Sequence, residues 1–238
     1  MTQTDYIRRT GEIEHYFDRT ALDAWKRLTG DQPVSGIRAT VRKGREEMRN
    51  TLAGWLPQDL TGWRILDAGC GGGVLSLELM ERGADVVGID LSAQMVAFAR
   101  QRAEERRAAN PGAPGSVRFE SGDLLDARLG RFDAVVSMDV LIHYAAGDAT
   151  RVLEQLAERT SRRLIFTLAP GSWLLRAMLA TGSLFPRRDR SPAIHPVNPG
   201  RVVERLVARP EMAGWSAGRM HRVAVGFYIS QAMEVTRP

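Results

Sequence analysis

Between Arg64 and Leu168, short apolar runs alternate with longer amphipathic ones, and no other feature constrains the chain as much. The strand candidates are Arg64–Ala68, Asp85–Ile89, Val117–Glu120, Ala134–Met138 and Arg163–Leu168. Between them, Val74–Arg82, Ala93–Arg107 and Asp148–Thr160 carry helical spacing. Strand–helix alternation builds βαβ units, and therefore a parallel sheet with both faces covered. The tail adds a helix over Arg201–Ala208 and a closing pair of β segments, Gly218–Val223 and Val225–Val235. Upstream, residues 4–56 read as helical, with Ile13, Tyr16 and Phe17, then Ala24, Trp25 and Leu28 at helical intervals. Pro57 and Thr61-Gly62 punctuate the end of that part. The expected fold is α/β, a doubly wound, mostly parallel seven-stranded sheet. Residues 1–61 would form a helical lid and 62–238 the main domain. An insert at 170–199, after the fifth strand, would lie on the substrate side, since a connection that long inside a compact domain is usually functional.

At 238 residues, with 44% hydrophobic and 26% charged side chains, the chain can bury a core. Trp173–Phe185 is shorter than the roughly 20 residues that span a bilayer, and it contains Arg176. No apolar leader followed by small residues opens the chain, so the cytoplasm is the expected compartment. Cys70 is the single cysteine, which excludes an internal disulfide and a cysteine-rich zinc site. The net charge is +5, and all but Lys26 and Lys43 of the 33 basic residues are arginine. Most arginines neighbour acids, as in Glu104-Glu105-Arg106-Arg107, which reads as a solvated helix face. Without zinc-finger spacing or an aromatic RNA-binding strand, nucleic acid is not an expected partner.

The segment Ile65-Leu66-Asp67-Ala68-Gly69-Cys70-Gly71-Gly72-Gly73 ends a buried strand and opens a helix. Its glycines let the backbone turn sharply, and a ligand there would meet free N–H groups at the helix start. Dinucleotide folds use a glycine loop too. Three details favour S-adenosylmethionine: Asp67 two residues before Gly69, the G-x-G-x-G run through Gly71 and Gly73, and Asp90 closing Val87-Gly88-Ile89-Asp90. Asp90 can accept both ribose hydroxyls. Asp123, in Ser121-Gly122-Asp123-Leu124, can accept the adenine amino group, and Met138 can lie against the adenine or the methionine chain. Leu91 and Leu124, beside these acids, complete the set. Over residues 62–170 this order and spacing resembles the Rossmann-like class I methyltransferases; a nucleotide-free relative of that fold is the competing reading. Cys70 reads as a small loop residue. Gly72 stands where many such enzymes carry Thr or Ser, which removes one hydroxyl contact.

Outside these motifs the chain is similar to the magnesium-protoporphyrin O-methyltransferase family over almost its whole length. The matching segments are His15-Tyr16-Phe17-Asp18, Val41–Arg45, Met138–Tyr144, Leu184–Pro192 and Gly226–Ser230. The resemblance implies methylation of one propionate of magnesium protoporphyrin IX in bacteriochlorophyll synthesis, giving the monomethyl ester and S-adenosylhomocysteine. Magnesium would enter only as part of the porphyrin, since no His and carboxylate cluster has metal-site spacing. His143, just past the fourth strand, would aim the propionate; a satisfied structural histidine is the alternative. The family match makes Tyr16 a residue that closes the site, although alone it reads as core. Arg42 would meet the methionine carboxylate or form a surface salt bridge. Arg187, Arg188 and Arg190 would bind the free propionate, or form a solvated charge run. His15 and His195 read as ordinary surface or loop residues rather than axial magnesium ligands. Family behaviour implies contact with the porphyrin-binding subunit of magnesium chelatase, and Trp173–Phe185 leaves peripheral membrane contact open. The alternative activity is O-methylation of another small molecule such as a quinone-pathway phenol, which ionises near pH 10 and would need a base.

Overall fold

The computed structural model describes residues 36–171 and 193–238, together with Gly11. The chain runs α1 (Ile37–Gly54), β1 (Arg64–Ala68), α2 (Val74–Glu81), β2 (Asp85–Asp90), α3 (Ala93–Ala109), β3 (Ser116–Ser121) and β4 (Phe132–Ser137). It continues through α4 (Ala146–Glu158), β5 (Thr160–Leu168), α5 (Pro199–Val207), β6 (Ser216–Val225) and β7 (Tyr228–Thr236). The seven strands form one sheet in the order β3-β2-β1-β4-β5-β7-β6. Strands β1 to β5 are parallel, and β7 runs antiparallel to both β5 and β6. The doubly wound, mostly parallel sheet expected from the alternation is therefore present, and the order reverses between β1 and β4, where such sheets bind ligands.

Ile65–Ala68 of β1 and Ala134–Ser137 of β4 are buried without interruption, as central parallel strands covered on both faces must be. Alternate residues then serve different cores. Leu66, Val135, Leu164 and Phe166 pack with Leu153 and Leu156 of α4 and Leu206 of α5. Ile65, Ala134, Val136 and Ile165 pack with Met48 and Leu52 of α1 and Leu79 of α2. Helix α1, though it lies within residues 1–61, thus shares a core with the sheet. Two contacts are especially close. Gly44 meets the Tyr228 ring so closely that a Cβ would stand 2.6 Å from Cδ1. Arg82 donates to the carbonyls of Ala53 at 2.8 Å, Leu56 at 2.9 Å and Pro57, capping the helix end.

Most element ends differ by a few residues from the sequence reading, and two places show why. Helix α4 starts at Ala146, so Asp148 lies in its first turn, and Thr160 opens β5 rather than ending the helix. Val225 ends β6, because Gly226 turns the chain at φ 54 before β7 begins. No helix among the described residues is long and apolar enough to cross a membrane. Tyr16, His15 and the insert residues 172–192, with Arg187, Arg188 and Arg190, lie outside the described residues. The base of the insert is closed by Gly171 N–H donating to the Val197 carbonyl at 2.7 Å and Val197 N–H to that of Ala169 at 2.9 Å.

Candidate active site

The glycine loop sits at the carboxyl ends of β1 and β2. Gly69 and Gly73 have φ of 85° and 75°, which favours residues without a Cβ. Several of the loop's N–H groups bond within the protein. Gly69 and Cys70 donate to the Ile89 carbonyl at 2.8 and 2.9 Å, Gly71 to Asp90 Oδ2 at 2.9 Å, and Gly73 to the Cys70 carbonyl at 2.9 Å. Three of these bonds brace the loop against β2 and the fourth closes its turn. What surrounds it is acid.

Asp67, on β1, is buried and accepts the Ser76 hydroxyl at 2.5 Å. Burial pushes its carboxyl up to about 6; the Ser76 hydrogen bond opposes that rise and the Asp90 charge adds to it. At the end of β2, Asp90 is held at both oxygens, by Gly71 N–H and by Ser92 N–H at 2.9 Å. Those two bonds fix the direction in which the carboxylate faces. Past β3, Asp123 Oδ1 accepts Leu125 N–H at 2.8 Å. Leu124 is buried with Ile89, and Leu91 packs beside them. The set suits S-adenosylmethionine, a sulfonium cation with a diol and an amine to donate, better than a diphosphate that these carboxylates would repel. Burial and the charges of Asp90 and Asp67 push the Cys70 thiol up, which keeps it protonated, in agreement with a loop residue.

The turn after β4 forms the other wall. Ser137 hydroxyl ties β4 to the Ala68 carbonyl at 2.9 Å, and the half-buried Met138 packs toward the core under α1. Asp139 then takes φ 59, unusual for a residue with a side chain and costing about 1–2 kcal/mol. Its carboxylate accepts the Tyr228 hydroxyl at 2.9 Å and the Arg45 guanidinium, and its N–H donates to Thr167 Oγ1 at 2.7 Å. Val140 follows, so close to the glycine loop that a Cβ on Gly69 would stand 2.0 Å from Val140 Cγ2. His143 ends the 3₁₀ turn Leu141–His143. It is buried, with Nδ1 3.2 Å from the Ala193 carbonyl at the far side of the insert.

The structure thus brings Asp67, Gly69, Gly71, Asp90, Leu91, Asp123 and Leu124 to one sheet edge, with Met138 and His143 on the adjoining turn. Arg42 is half-buried on α1, one turn before Arg45. The sequence reading missed Arg45, Asp139 and Tyr228; all three stood inside the family-matching segments, which was the only signal for them. His195 lines an open cleft of about 340 Å³ with Ala145, Asn198, Arg201 and Arg205. Among the described residues no group of three His, Cys, Asp or Glu could hold a metal ion.

Comparison with known proteins gives a consistent result. Residues 65–162 match the model of a methyltransferase domain, and 137–237 that of the magnesium-protoporphyrin IX methyltransferase C-terminus. A magnesium-protoporphyrin O-methyltransferase from Rhodobacter capsulatus is 46% identical over 97% of this chain and 98% of its own length. One from Synechocystis is 33% identical, covering 94% and 95%. The crystal structure of magnesium protoporphyrin IX methyltransferase from Synechocystis with bound SAH superposes with a TM-score of 0.79 at 30% identity, covering 95% of this chain and 98% of that one.

Proposed function

The chain belongs to the magnesium-protoporphyrin O-methyltransferase family, and from that premise we propose how its residues esterify one propionate of magnesium protoporphyrin IX. It is an S-adenosylmethionine-dependent carboxyl O-methyltransferase of bacteriochlorophyll biosynthesis, giving the monomethyl ester and S-adenosylhomocysteine. Bound S-adenosylmethionine supplies an activated methyl group on a neutral thioether leaving group. Asp90 takes the ribose hydroxyls, Asp123 the adenine amine, and Asp67, Gly69 and Gly71 the methionine end, with Leu91, Leu124 and Met138 as apolar walls and Arg42 toward the methionine carboxylate.

A propionate ionises near pH 4 to 5, like glutamate, so at neutral pH it is already the nucleophile. The protein's task is to align its oxygen with the methyl carbon and exclude water. His143 does the aligning. The Ala193 carbonyl at Nδ1 orients the ring for that task. Tyr16 closes the site, and Arg187, Arg188 and Arg190 recognise the porphyrin. Handover from the porphyrin-binding subunit of magnesium chelatase, and peripheral membrane contact through Trp173–Phe185, complete the proposal. They rest on the family likeness and the composition of the insert.

The observation that carries this reading is the packing of Val140 on Gly69, which makes the donor loop and the His143 turn one unit. The test is to incubate the full chain with S-adenosylmethionine and magnesium protoporphyrin, and to weigh the product. A monomethyl ester is expected; no ester, or a methylated phenol from a quinone precursor instead, overturns it. Within the active enzyme, His143→Asn keeps a donor and should outperform His143→Ala. A general base would lose kcat/KM toward low pH and leave both variants equally dead. Tyr16→Phe should lose less than Tyr16→Ala if the ring closes the site by packing.

A further inference from the structure

The carboxylate of Asp139 takes no part in the mechanism above, yet it is the most heavily bonded acid near the site. Besides Tyr228 and Arg45 it faces the hydroxyls of Thr167 at 3.4 Å and Ser230 at 3.5 Å, and its side chain is only 6% exposed. Its donors come from α1, β5 and β7, so three elements distant in sequence converge on one turn. Backbone strain at a non-glycine residue persists only where the surroundings over-determine it. Glycine at this position would turn the chain without strain. An aspartate there, bonded on all sides, indicates that the carboxylate itself sets the turn.

The turn sets two things at once. Val140 abuts Gly69 on the donor side, and His143 lies on the acceptor side. Rotation at Asp139 would move both contacts together. Arg45 adds a link to α1, the helix that follows the Tyr16 segment in the chain.

We propose that Asp139 is a positioning residue for methyl transfer: its bonds to Tyr228, Thr167 and Arg45 hold the Met138–His143 turn so that donor loop and His143 face one acceptor. The inference rests on the function proposed above, because it requires an acceptor between those walls. It touches neither donor nor acceptor, so its removal should appear in kcat rather than in binding.

The experiment compares wild type with Asp139→Asn, which tolerates the left-handed backbone but lacks the charge, Asp139→Gly, which removes the strain, and Arg45→Met and Arg45→Lys on the helix surface. With both substrates saturating, Asp139→Asn, Asp139→Gly and Arg45→Met should each lose about 10- to 100-fold in kcat, the scale on which misalignment slows a reaction. Their S-adenosylmethionine Kd should stay within about threefold, and Arg45→Lys should recover much of the loss. The double variant Arg45→Met/Asp139→Asn should be no slower than the slower single one, since both break one link. Unchanged kcat with a lowered melting temperature would make the network merely structural and overturn the proposal. A fall in cofactor affinity matching the fall in kcat would also overturn it, by moving Asp139 into the cofactor cradle. Wild type that forms no porphyrin ester would instead defeat the underlying function.

Discussion

Asp67 and Asp90 stand 23 residues apart in the chain and flank one glycine loop, yet their environments differ. Burial holds the Asp67 carboxyl up to about 6, above its unfolded value near 3.8. Because the folded form resists ionisation, Asp67 imposes no penalty below the unfolded value. A penalty accumulates between about pH 4 and 6, and above that it is constant at no more than about 3 kcal/mol. Asp67→Asn keeps an acceptor for Ser76 without the charge. Its melting temperature should gain on wild type as pH rises from 4 to 6 and hold that margin to pH 8; a margin independent of pH would mean that Asp67 is ionised throughout. Asp90→Ala should weaken S-adenosylmethionine binding by roughly 1.5–3 kcal/mol, the worth of hydrogen bonds to a charged group. Unchanged affinity by calorimetry in the folded variant would place the ribose elsewhere. Asp90 was legible because its strand and the glycine loop lie close in sequence. Asp139 was not, because Tyr228 and Arg45 are 89 and 94 residues away and no periodicity announces a bond between distant loops.

At the scale of elements, burial on both faces gave the central strands their continuous apolar runs, and β1 has the bounds read from the sequence. Helix α4 was harder to delimit because Ala145 caps it without a side-chain bond, while Asp148 imitates a cap one turn in. The seating of α1 on β7 left no trace except Gly44, whose bare α-carbon admits the Tyr228 ring. On helix propensity alone Gly44→Ala should stabilise by up to about 1 kcal/mol. The added methyl would collide with Tyr228, and overpacking of this kind costs about 1–3 kcal/mol. The net effect should be destabilising, seen as a lower urea midpoint at unchanged slope. A higher midpoint would mean that α1 stands away from the sheet.

Across the whole molecule, charge is unevenly spread. The body of the fold pairs many of its arginines with acids, as in Arg49–Glu78, Arg106–Glu81, Arg163–Glu234 and Arg209–Glu154. Residues 172–192, by contrast, carry four arginines against one aspartate, so more than half of the net +5 lies in that one segment. A porphyrin with two ionised propionates is drawn to such a concentration of positive charge, and arginine can hold a carboxylate by two parallel hydrogen bonds. Replacing Arg187, Arg188 and Arg190 together by glutamine should raise the porphyrin KM about tenfold, leave S-adenosylmethionine affinity unchanged, and flatten the rise of KM with salt, since screening has less attraction left to weaken. The same segment pairs its arginines with the apolar stretch Trp173–Phe185, the combination that binds anionic lipid. Pelleting with anionic vesicles therefore belongs in the same experiment. A KM that stays put while pelleting is lost assigns the arginines to the membrane, and a KM that stays put with pelleting intact returns them to a solvated surface.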